Sequence, residues 1–121
     1  MIMERHIEND IFNRNEALFR VDGDMELLRE LAGLFLENCP AQLAGIQVAI
    51  AQNDSRSLER AAHDIKSSVG VFCAKLAFEA ALKLEIMGRK NDLAGVKEVY
   101  TTLEKEIGRL KPELEVIMSE Q

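Results

Sequence analysis

The sequence predicts an all-α chain, and three observations carry that reading. Apolar residues recur at the 3.6-residue period along most of the length, and no β-branched alternating run is bounded by turn residues. Only two prolines, Pro40 and Pro112, interrupt the 121 residues, and no stretch is rich in Gly and Ser. Short connections between four or five amphipathic helices favour antiparallel neighbours, and hence an up-and-down bundle.

Each element follows from a local signal. Asn13 to Arg20 makes a short helix anchored by Leu18 and Phe19. Asp22-Gly23-Asp24 then starts a helix with the stripe Leu27, Leu28, Leu31, Leu34 and Phe35, its acids at the positive end of the dipole. Its end is expected near Asn38-Cys39, because the residue before Pro40 is pushed out of the helical region. Pro40 suits the first turn of a second helix, with Leu43, Ile46, Ala49 and Ile50 as its stripe.

Asn53-Asp54-Ser55 ends that helix and caps the next, whose stripe is Leu58, Ala61, Ala62, Ile65 and Val69. Gly70 and Phe72-Cys73-Ala74 mark a bend. The following helix carries Leu76, Ala77, Ala80, Ala81, Leu84 and Met87 and is expected to fade at Gly88. Asn91-Asp92 caps a last helix with Val96, Val99, Tyr100, Leu103, Ile107 and Leu110 on one side. The Ala-rich stripes of the two middle helices would let those two pack closely.

Composition narrows the function. With 15 Lys and Arg against 21 Asp and Glu, the net charge is −6, which argues against a nucleic-acid surface. An apolar fraction of 47% argues against disorder and is enough for one core, so a single domain is expected. No apolar run approaches the ~20 residues of a membrane span, and Met1 to Asp10 lack the basic start and apolar core of a secretory signal. Cys39 and Cys73 sit in no metal or redox motif and read as small buried hydrophobes in a reducing cytoplasm.

One residue breaks the pattern. On the wheel of its helix His63 lies about 140° from the centre of the apolar stripe, so it points outward. Arg56, Glu59, Arg60, Lys66, Ser67 and Gly70 share that face. Lys66, Ser67 and Gly70 stand at i+3, i+4 and i+7, around the imidazole, and two of the three are small. Ser and Gly sacrifice helix propensity there and leave the ring uncovered. His63 is therefore either an ordinary solvated histidine or an open nucleophile beside an ammonium that neutralises phosphoryl oxygens; its position fits both. A di-iron bundle site is not supported, because Glu59 and His63 both face outward and His6 lies in the N-terminal tail. No Gly-rich phosphate loop occurs.

Ala62-His63-Asp64-Ile65-Lys66-Ser67-Ser68-Val69-Gly70-Val71-Phe72-Cys73-Ala74 resembles the signature of histidine-containing phosphotransfer (HPt) domains. Val21 to Leu31, Phe35 to Pro40, and Leu84-Glu85 with Arg89 and Asn91-Asp92-Leu93 extend the resemblance over about Phe12 to Leu114. It implies an antiparallel four-helix bundle with a small extra N-terminal helix. It also implies that His63 accepts and donates a phosphoryl group, that Lys66 stabilises that group, and that Glu85 orients the imidazole from the neighbouring helix. Ser67 and Cys73 stand where the family usually has Gly, which implies tuning of the transfer.

The resemblance further implies response-regulator receiver domains as partners, with Mg²⁺ on the receiver's side and no cofactor, metal or ATP site in this domain. Arg56, Arg60, Ser67 and Gly70 are the expected docking residues around His63, and Met25 and Leu36 are either further docking points or bundle core. The domain is expected to be a cytoplasmic monomer spanning 12–118 after a flexible lead-in at 1–11, free-standing or the end of a bacterial hybrid sensor kinase. Two rivals remain: a helical adaptor without phosphate chemistry, and an enzyme using His63 as general base.

Overall fold

A computed structural model describes residues 9–120, so most of the expected lead-in, His6 included, lies outside the described residues. Among the described residues there are no strands. A short helix α1 (Arg14–Arg20) precedes four long ones: α2 (Met25–Ala51), α3 (Ser55–Gly70), α4 (Lys75–Lys90) and α5 (Val96–Ser119). Each long helix packs on two others, α2 on α3, α3 on α4, α4 on α5 and α5 back on α2, which closes an antiparallel four-helix bundle. No helix among the described residues is long and apolar enough to cross a membrane.

Two boundaries differ from the sequence expectation. The chain does not turn at Pro40, and the two helices expected on either side of it are one, α2. Pro40 sits on the exposed side of α2, away from the core. Leu28, Ala32, Phe35, Cys39, Ile46 and Ala49 run through it as one buried stripe. Burial on both sides outweighs the cost of about 3 kcal/mol for an internal proline. Gly88 does not end its helix either. It lies inside α4, and a Cβ there would stand 2.7 Å from both Ser55 O and Glu59 N. Its missing side chain is what lets α4 approach the backbone of α3.

The turns share one device. Asp22, Asn53, Cys73 and Asn91 all adopt positive φ, near +50°. Each closes the preceding helix with paired bonds, as in Cys73 N–H to Gly70 O and Ala74 N–H to Val69 O. Asn91 is thus a helix terminator; the start of α5 falls to Gly95, which has no side-chain cap to offer. Asp24 and Asp54 do cap, accepting from Leu27 N and Ser57 N. At the α3–α4 turn Phe72 takes edge contacts from Phe12 and Phe35, and its carbonyl accepts from Asn13 N, which ties α1 to the bundle.

Candidate functional site

The close approach at Gly88 brings the outer edge of α3 against α4, one helical turn from Glu85. Glu85 is 4% exposed, a carboxyl brought to the bundle surface beneath other side chains. Its Oε2 lies 2.9 Å from His63 Nδ1 and 3.3 Å from Arg89 Nη2, while Oε1 lies 2.6 Å from Lys66 Nζ. Arg89 Nε reaches on to Glu59 Oε2 at 3.2 Å.

These contacts fix the protons. The bond from Lys66 is the chief cause holding the Glu85 carboxyl below its ordinary range, and the bond from His63 adds to it, against the opposing effect of burial. At neutral pH Glu85 is ionised and can only accept. His63 Nδ1 must then carry a hydrogen, and in the neutral form of the ring the lone pair is on Nε2. The His63 side chain is 56% exposed. The result is an imidazole held by one nitrogen, with more than half of the side chain open to solvent.

The sequence profile of the Hpt domain family matches residues 30–113, well over half the chain. The chain belongs to the Hpt domain family. No curated protein and no solved structure matches it significantly. Hpt domains serve phosphorelays by histidine phosphotransfer, meet response-regulator receiver domains there, and have no kinase activity of their own.

In this Hpt domain the expected residues gather unevenly. His63, Lys66 and Glu85 meet in one network. Lys66 is not a free cation beside the ring: its side chain is 18% exposed, bound to Glu85, with its ammonium 5.8 Å from the centre of the Phe78 ring. Ser67 Oγ donates to the His63 carbonyl at 3.1 Å, so its proton is already engaged. Gly70 would meet only ordinary contact with Phe78 if it carried a Cβ, so nothing inside the bundle demands a glycine. Arg56 and Arg60 are exposed and form no ion pair among the described residues.

Met25 and Leu36 pack against the core as half-buried residues. Phe19, expected to anchor α1, and Leu27 and Leu34, expected in the apolar stripe of α2, are instead exposed, as is Val48. Arg89 joins the network from α4, where it stands at i+4 from Glu85. Among the described residues no group of three or more His, Cys, Asp or Glu could hold a metal ion.

Proposed function

We propose that His63 Nε2 takes a phosphoryl group from the aspartyl-phosphate of one receiver domain and passes it to the aspartate of another. The carrying observation is the hold on the ring: Nδ1 is bonded to an ionised, buried Glu85 while more than half of the His63 side chain is open to solvent. The Nε2 lone pair attacks phosphorus, the bond from phosphorus to the aspartate oxygen breaks, and the carboxylate leaves. Nδ1 keeps its hydrogen, so the ring becomes a cation opposite Glu85. Every element of that step is reversible, and the reverse step delivers the group to the next receiver.

Catalysis here is positioning and charge compensation. Glu85 holds the ring, and Lys66, which keeps Glu85 ionised, shares its ammonium with the incoming phosphoryl oxygen. The small residues Ser67 and Gly70 leave room for the receiver, and Arg56 and Arg60 attract its anionic site. Mg²⁺, where it is needed, belongs to the receiver. The domain acts in the cytoplasm, where such receivers are charged, either free or as the cytoplasmic end of a sensor kinase.

Incubation with the receiver domains of the same cell, each phosphorylated in advance, tests the reading. Label moves to the domain, is acid-labile, and is absent from His63→Gln. An intact domain that takes no label from any receiver refutes the proposal in favour of a helical adaptor.

A further inference from the structure

Lys66 has two duties that pull apart. It keeps Glu85 ionised from the side of Oε1, and it has to meet a phosphoryl oxygen on His63. An ammonium on a flexible four-carbon stem is strongly hydrated and poorly fixed, so without support it would be neither in place nor stripped of water when the group arrives. Lys66 is better held than that. Its side chain is only 18% exposed, although it stands on the outer edge of α3.

The cover comes from α4. Phe78 and Glu85 stand seven residues apart on that helix, about 10 Å along its axis, and both reach the edge of α3. The Lys66 ammonium meets both: it lies 2.6 Å from Glu85 Oε1 and 5.8 Å from the centre of the Phe78 ring. The second distance is within the ~6 Å at which an aromatic face attracts a cation. One edge of the same ring lies over Gly70, with Cδ2 and Cε2 each 3.6 Å from where a Cβ would stand. Phe78 belongs neither to the buried core nor to the half-buried residues packed on it. Core packing therefore does not account for the ring, and its neighbours do.

A ring is a different partner from water or a carboxylate. It attracts positive charge without a lone pair that fixes an N–H in one direction, and it displaces water from the side it covers. The ammonium can thus turn towards a new anion without leaving the ring. Phosphorylation supplies that anion, and it makes the imidazole the cation opposite Glu85.

We propose that Phe78 is a positioning residue for phosphotransfer, whose ring holds the Lys66 ammonium, partly stripped of water, as it turns from Glu85 to the phosphoryl oxygens. The inference rests on the phosphotransfer reading of His63 and adds no bond to that step. Its effect is preorganisation: charge placed and desolvated beforehand stabilises the transition state more than charge gathered from water during the reaction.

The test separates rate from affinity. Transfer from a phosphorylated receiver that labels the intact domain is timed by rapid quench over a range of receiver concentrations, which gives a maximal rate and a half-saturating concentration. Phe78→Leu keeps an apolar side chain without the aromatic face. It lowers the maximal rate about tenfold, the scale of a partly desolvated cation–π contact, and leaves the half-saturating concentration within about twofold. Phe78→Tyr keeps the face and brings the maximal rate back to within about twofold of the parent. In a Lys66→Met background, Phe78→Leu changes the maximal rate by less than about twofold, because the cation it acts through is gone. A higher half-saturating concentration at an unchanged maximal rate overturns the inference, since the ring would then touch the receiver and not Lys66. A tenfold loss that persists in the Lys66→Met background, or that tyrosine does not repair, overturns it as well, since a ring that only shapes α4 acts whether or not Lys66 is present. If Phe78→Leu transfers as fast as the parent, the inference falls and the phosphotransfer reading stands. A parent domain that takes no label from any receiver overturns both.

Discussion

Glu85 binds three side chains with two oxygens, and the division between them decides what His63 can do. Lys66 on Oε1 supplies most of the charge that keeps the carboxyl ionised, which frees Oε2 to accept from the imidazole. Because the Glu85 carboxyl is held below its ordinary value of 4.5, its contribution to stability is fully present above that value and is lost as pH falls through the lowered one. The stability gap between the parent domain and Glu85→Gln is therefore widest at neutral pH and closes on the acid side, as urea unfolding across a pH series will show. A gap independent of pH would mean that the charge of Glu85 does not matter to the fold. Cys73 offers a second residue-scale case. It takes φ +51° at the end of α3, a conformation that Asp22, Asn53 and Asn91 tolerate at the equivalent positions through their short polar side chains. Cysteine has no such compensation. Cys73→Gly relieves the strain and raises stability by about 1 kcal/mol, measured by urea unfolding, with the His63 contacts untouched.

The pairing of α3 with α4 is the element on which the site depends, because His63 and Glu85 sit on different helices. The alanines at 62, 77, 80 and 81 are all buried, and Gly88 completes the close approach. Gly88→Ala drives a methyl into the backbone of Ser55 and Glu59, which no side-chain rotation relieves; the expected loss is about 2–3 kcal/mol. The same shift stretches the 2.9 Å contact between His63 and Glu85, so labelling slows although every reactive group is present. Gly108 is the control. Nothing lies within 4 Å of a Cβ there, and Gly108→Ala gains up to about 1 kcal/mol of helix propensity with labelling unchanged. If both substitutions slowed labelling equally, helix spacing would not be the cause. The sequence shows which residues face inward on each of these helices, since burial follows the 3.6 period. It does not show that Gly88 is a contact point or that α2 runs through Pro40. Both depend on what the neighbouring helix offers, and a local rule for glycine or proline contains no neighbour.

At the scale of the molecule, charge is distributed against its own sum. The chain carries −6, yet Arg56 and Arg60, on the exposed edge that carries His63, form no ion pair among the described residues. The face was legible in the sequence because helix geometry places i, i+3, i+4 and i+7 together. The state of each cation on it was not: Lys66 is committed to Glu85, whereas Arg56 and Arg60 remain available to a partner. An aspartyl-phosphate is an anion, so a receiver approaching this domain is repelled by the total and drawn by the local field. At the separation of an encounter the exposed pair acts through water, where screening at physiological salt cuts interactions off within about 8 Å. The consequence is kinetic. Arg56→Glu with Arg60→Glu slows association with the receiver by about tenfold at low salt, and the difference shrinks towards nothing as salt approaches 1 M. Dissociation changes much less, because neither side chain is buried against anything in the domain and the folded state loses no contact. Stopped-flow association across a salt series reads all three effects. A loss of affinity that resides in the dissociation rate and persists at high salt would place the two arginines inside a desolvated contact instead, and the attraction that guides the receiver to His63 would have to come from elsewhere on the surface.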